Sequence, residues 1–210
     1  DYLQNYGDDL PKRGVKTPSV EDIAKRCHKD LPPKYREYLT TERGLEDFYI
    51  NDHRLGYGEF YGKHWLTIPI HDPIGTITYI KLRKLPEDTS ENDKYKFYPV
   101  GSKTVLWGAH ELLSTKAEEV FICEGEYDKI VAAQSGLRMP VVTSTGGAAT
   151  FKDEWLDSYF GNVQTAYICF DSDEAGRRAT EVLVEKIKRI LPHMTVFTVS
   201  LPETLGNKAD

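Results

Sequence analysis

Apolar spacing along the chain changes character twice. Between Ser19 and Gly44 it is helical: Val20, Ile23, Ala24 and Cys27 share one face, and Tyr35, Tyr38 and Leu39 share another, as amphipathic helices require. Ser19 with Asp22 three residues on predicts a helix start, Pro32 closes that helix, and Gly44 stops the next. From His53 to Tyr98 the period drops to two. Residues 65–70 and 76–80 flank the turn His71-Asp72-Pro73-Ile74-Gly75 and predict a hairpin. The charged stretch 86–93 has no period and reads as an exposed loop before a further strand at 94–100.

After about Lys116, short apolar runs alternate with longer helical stretches, the pattern of a parallel α/β sheet. Strands are expected at 120–123, 141–143, 166–170 and 195–199, and helices near 127–135, 153–160 and 174–191. In the last helix Ala179, Val182, Leu183, Ile187 and Ile190 make an apolar stripe, and Lys186, Lys188 and Arg189 suit its C-terminal end. The expected organisation is a tail or linker over 1–18, a smaller α+β subdomain over 19–116 and a parallel-sheet α/β subdomain over 117–210.

Composition narrows the picture. With 210 residues, 40% of them hydrophobic, the chain can bury a core as one large domain or two small ones. No apolar run nears the roughly 18 residues of a membrane span, and no signal-peptide pattern opens the chain, so a cytoplasmic protein without membrane partners is expected. Cys27, Cys123 and Cys169 are far apart, two of them inside apolar runs, and read as packing thiols; no Cys/His spacing suggests zinc within this segment. The net charge of −6 speaks against nucleic-acid binding by bulk electrostatics. Charge is nonetheless local: acids gather at 118–128 and 171–174, and Lys81, Arg83 and Lys84 end an alternating strand.

Ligands of open α/β sheets bind beyond the carboxyl ends of the strands. Here the first such strand runs into Glu124-Gly125-Glu126-Tyr127-Asp128 and the third into Asp171-Ser172-Asp173-Glu174-Ala175-Gly176. Adjacent strand ends would bring Glu124, Asp171 and Asp173 into one pocket, where mutual repulsion demands a cation or protonation. An all-oxygen site suits magnesium, and magnesium suits phosphoryl chemistry. Asp-x-Asp before a helix is equally the signature of a plain N-cap. Ser144-Thr145-Gly146-Gly147-Ala148-Ala149 after the second strand reads either as a tight connection or as a cradle for phosphate.

The runs Phe121 to Asp128 and Phe170 to Arg177 resemble, in order and spacing, the two signature motifs of the Toprim family. That family includes DnaG-type primases, phage primase-helicases, topoisomerases and some nucleases. The resemblance implies a Rossmann-like Toprim subdomain in which Glu124, Asp171 and Asp173 bind catalytic Mg2+, with Mn2+ as the alternative, and Asp128 supports them. Asn207-Lys208-Ala209-Asp210 looks like the family's further acidic motif with an alanine inserted, which would make Asp210 another metal ligand. Upstream, Arg43-Gly44-Leu45, Leu55-Gly56-Tyr57, Ile68-Pro69-Ile70, Lys94-Tyr95-Lys96 and Leu106-Trp107-Gly108 look like the N-terminal subdomain of primases, within the smaller α+β part.

A primase core would be a DNA-dependent RNA polymerase joining NTPs on a single-stranded DNA template, beside a replicative helicase in cis or in trans, in a bacterial, phage or mobile-element setting. On that resemblance Lys81, Arg83, Lys96, Gly146 and Arg177 would contact template or nucleotide; the three strand cations otherwise form a solvated face. The expected mechanism is metal-assisted attack of a 3′-hydroxyl on the α-phosphate of an NTP. A Toprim nuclease and a non-catalytic nucleic-acid binding module are the alternatives.

Overall fold

In the computed structural model, residues 17–90 and 94–200 are described. The chain divides into two compact units, one built from residues up to 70 and from 77 to 102, the other from residues 71–76 and from 103 onward.

The first unit opens with α1 (Val20–Lys29), whose Ser19 cap and Asp22 form a reciprocal capping box, followed by α2 (Pro33–Thr41) and α3 (Asp47–Asp52). Strands β1 (Gly56–Phe60), β2 (Lys63–His71), β3 (Ile77–Arg83) and β4 (Tyr95–Tyr98) form a four-stranded sheet in that order. Ile23, Ala24 and Cys27 of α1 pack against Phe60, Trp65, Ile80 and Leu82. Gly56 and Gly58 make this approach possible, because a Cβ at Gly56 would lie 2.4 Å from the Cys27 carbonyl carbon. The expected hairpin is present as β2 and β3, and Asp72 organises its turn by accepting the Ile74 and Thr76 amides at 3.0 and 2.9 Å.

The second unit contains β5 (Leu106–Trp107), α4 (Ala109–Thr115), β6 (Glu119–Cys123), α5 (Glu126–Gln134), β7 (Val141–Ser144), a 3-10 turn (Ala148–Thr150), α6 (Asp153–Tyr159), β8 (Thr165–Cys169), α7 (Glu174–Ile190) and β9 (Thr195–Thr198). Its sheet runs β5-β7-β6-β8-β9, with β7, β6, β8 and β9 parallel and β5 antiparallel to β7. The mixed α/β architecture expected from the sequence is therefore present. Val120, Ile122, Ala166 and Ile168 bury one sheet face against Phe151, Trp155, Leu156, Leu183 and Ile187. Burial of about ten large apolar side chains, at roughly 1.5–3 kcal/mol each, is the main force holding the two layers together. Val182 departs from the expected stripe, being 51% exposed. At about 100° per residue it falls on one border of the stripe, whereas Leu183 falls near its centre.

Candidate active site

β6 and β8 are neighbours in parallel register, with Cys123 beside Cys169, so their carboxyl ends finish level. From β6 the chain crosses to β7 on one side, and from β8 it crosses to β9 on the other. Connections leaving in opposite directions open a crevice between the two strand ends, where open α/β sheets bind ligands. Glu124 directly follows β6 there, and Asp171 lies two residues past the end of β8.

Hydrogen bonds explain the motif spacing. A Glu124 Oε oxygen accepts the Asp171 amide at 3.1 Å, tying the two strand ends together. Asp128 Oδ2 accepts the Gly125 amide at 2.7 Å, the return half of a capping box on α5. Asp173 is the N-cap of α7 and accepts the Gly176 amide at 2.7 Å. A Cβ at Gly176 would stand 2.2 Å from the Asp171 carbonyl oxygen, so only glycine lets the first turn of α7 rest on the Asp171 backbone. The Arg177 guanidinium donates to the Ser172 carbonyl. The capping role open in the sequence is thus real for Asp173, Asp128 makes a similar bond that the sequence did not suggest, and both fix the turns that carry Glu124 and Asp171. Asp210 lies outside the described residues.

Glu124, Asp128 and Asp171 are half-buried and Asp173 is exposed. Among the described residues no three His, Cys, Asp or Glu side chains converge as a ready-made metal cage. The donors nonetheless fit a hard divalent cation of the kind that takes one or two carboxylates and completes its shell with water and phosphate oxygen. The nearby sulfurs do not compete for such an ion. Burial, reinforced by the Asp128 charge, pushes the Cys123 thiol well up, and burial with Asp128 and Asp171 raises Cys169. Both stay protonated at neutral pH, as packing thiols should.

The loop after β7 is closed on itself. Thr145 exchanges hydrogen bonds with Val105, its amide donating at 3.1 Å and its hydroxyl accepting at 3.0 Å. Ser144 and Thr150 hydroxyls meet at 2.6 Å, and the Gly147 amide donates to the Ser144 carbonyl. Gly146 is required here because a Cβ would lie 2.5 Å from the Thr150 hydroxyl oxygen.

The strand cations belong to the first unit and divide between the two faces of its sheet. Lys81 faces Phe97 and Arg83 faces Tyr95 across β3 and β4, on the face that carries Tyr79, while Lys96 pairs with Leu82 on the opposite face. Lys81 is only 2% exposed, and its ammonium stands 4.2 Å from the Tyr95 ring centre. It is not on a solvated face; Arg83 is half-buried, and Lys96 is exposed and lines an open groove of about 450 Å³ with Tyr61, Phe97, Val100 and Gly101.

Sequence reasoning missed Lys129, one residue past Asp128. It is 1% exposed, and its ammonium donates to both Glu111 carboxylate oxygens at 3.1 and 3.2 Å. The available signal was position: Lys129 lies three residues from Glu126 and beside Ile130, both buried.

Residues 121–208 match the family described as Toprim-like. A DNA primase of Legionella pneumophila is 27% identical over 212 residues, covering 92% of this chain and 32% of the relative. The chain thus spans about a third of that relative's length. A DnaG primase catalytic domain bound to single-stranded DNA superposes with a TM-score of 0.70 at 19% identity, over 90% of this chain and 71% of that one. The primase fragment of the bacteriophage T7 primase-helicase gives a TM-score of 0.59 at 27% identity, over 77% and 63%.

Proposed function

We propose, for a chain that carries a Toprim primase core, that it synthesises short RNA primers on single-stranded DNA by metal-assisted nucleotidyl transfer. The observation that carries this reading is the crevice where β6 and β8 end level and the Glu124 carboxylate meets the Asp171 amide at 3.1 Å. Glu124 and Asp171 hold the divalent metal, Mg2+ by the all-oxygen character of the donors and Mn2+ as its substitute. Asp128 and Asp173 brace the two turns through their amide bonds and stand ready as further oxygen donors. A cation bound there lowers the pKa of the attacking 3′-hydroxyl and offsets charge on the NTP phosphates. Asp210 belongs to the same proposed ligand set.

Lys81 and Arg83 are assigned to the template or the triphosphate, with Lys96, Gly146 and Arg177. Support comes from the first unit's sheet, where half-buried Arg83 shares a face with the half-buried rings of Tyr95 and Phe97, and Lys81 and Tyr79 on that face are buried. Aromatic rings interleaved with cations suit the bases and phosphates of a single strand. The single-stranded DNA held by the DnaG neighbour, and the helicase joined to the T7 neighbour, extend the proposal to those two partners.

Incubation with single-stranded DNA, NTPs and Mg2+ or Mn2+ tests the reading. New template-dependent oligoribonucleotides, lost in Asp171→Ala without loss of the circular-dichroism spectrum, are expected. Shortened DNA without RNA product would instead mean a nuclease, and full ribonucleotide incorporation by Asp171→Ala would sink the assignment of the site.

A further inference from the structure

Lys129 occupies a receptacle built by three residues of β5, α4 and the cap between them, in the second unit. Trp107 supplies an aromatic wall, its ring centre 5.1 Å from the ammonium. Gly108, at φ +97, supplies room: a Cβ there would lie 3.0 Å from Lys129 Cε and 2.4 Å from the Val141 carbonyl oxygen. Glu111 of α4 supplies the counter-charge through both carboxylate oxygens. The receptacle is level with the metal crevice, since Trp107, Thr143, Cys123 and Cys169 form one row across the sheet and Glu124 follows directly.

Lys129 is also part of the acidic turn itself. Its amide donates to the Gly125 carbonyl at 3.0 Å, while the Gly125 amide donates to Asp128. Whatever fixes Lys129 therefore fixes the turn that carries Glu124 and Asp128. An ion pair whose lysine is buried while Glu111 stays half-exposed is a poor device for stability alone, because desolvating the ammonium offsets much of the attraction and apolar residues of similar volume often hold a fold as well. Its geometric specificity is what an apolar contact lacks.

We propose that Lys129 is a positioning residue: clamped by Glu111, Trp107 and Gly108, it sets the first turn of α5 so that Glu124 and Asp128 face the metal. This rests on the metal site proposed above. The Leu106-Trp107-Gly108 segment then has a physical task, as one wall of a lock on the acidic turn.

The test pairs Lys129→Met with Glu111→Leu, which removes both charges and leaves no buried ion alone. Two quantities are read in the folded chain: Mn2+ affinity by titration, and hydrogen exchange at the Gly125 and Lys129 amides, with the Phe121 amide of β6 as control. The double variant should unfold at no lower temperature than the parent, yet bind Mn2+ about tenfold more weakly, as loss of a ligand-orienting contact does. Exchange at Gly125 and Lys129 should speed up about tenfold with Phe121 unchanged. Unchanged exchange and Mn2+ affinity overturn the proposal. Should the double variant fail to fold, Glu111→Gln decides by the same readings: a roughly two- to threefold weakening supports the lock, and none refutes it. If the parent chain binds no Mn2+, the metal site fails, while the exchange comparison still judges the lock.

Discussion

Gly176 is where a missing side chain matters most to the crevice. Any Cβ there would strike the Asp171 carbonyl oxygen at 2.2 Å, and backbone, unlike a flexible side chain, gives way only by shifting the chain itself. Gly176→Ala should cost about 1–3 kcal/mol in urea unfolding, and it should weaken Mn2+ binding because relief of the clash moves Asp171. Wild-type stability in that variant would contradict the packing. Cys27 offers a pH test. Burial pushes its thiol from 9.0 up to about 11. Below pH 9 both folded and unfolded chains hold the proton and the contribution is complete. Between pH 9 and 11 the unfolded chain loses the proton first, so stability falls as pH rises. Cys27→Ala should flatten that fall in denaturation curves measured across the window. At this scale the acids were legible in the sequence, because a carboxylate after a strand needs a reason. The dual task of Asp128 and Asp173, capping and bracing, was not: it depends on which amides lie within 3 Å. Lys129 was hidden because a lysine's burial depends on distant residues, here Glu111 and Trp107.

Elements with several turns or alternations declared themselves. α1 is an example, since Ser19 and Asp22 close a capping box and Ile23, Ala24 and Cys27 face the sheet. Ser19→Ala should cost about 1 kcal/mol of stability to chemical denaturation, and Asp22→Ala should add little to it, because the two side chains act as one device. Full additivity of the two would contradict a shared box. The strands β6, β7, β8 and β9 and the helix α7 were all readable from apolar period. β5 was not, for two residues carry no period, and only their pairing with Ser144 and Thr143 makes them a strand. α3 and α4, six and seven residues long, escaped for a similar reason: a helix shorter than two turns shows scarcely one repeat of its own face.

At the scale of the whole molecule, a net charge of −6 does not show where the charges stand. One group of acids follows the carboxyl ends of β6 and β8 in one unit, while Lys81 and Arg83 share an aromatic face in the other. No described helix is long and apolar enough to cross a membrane. The α/β character of the second unit was legible because alternating strands and helices admit few architectures; its assignment of residues 71–76 was not, because those residues lie in another unit's hairpin in sequence and join the second unit only through tertiary contacts. The claim on which the functional account stands is that the ends of β6 and β8 hold a divalent metal. Titration of Mn2+ into isotope-labelled protein, followed by paramagnetic broadening of backbone amides, measures this directly. Residues 123–128 and 170–176 should broaden first, and Asp171→Ala should abolish the effect. Broadening that begins elsewhere, or that survives unchanged in Asp171→Ala, would contradict the account.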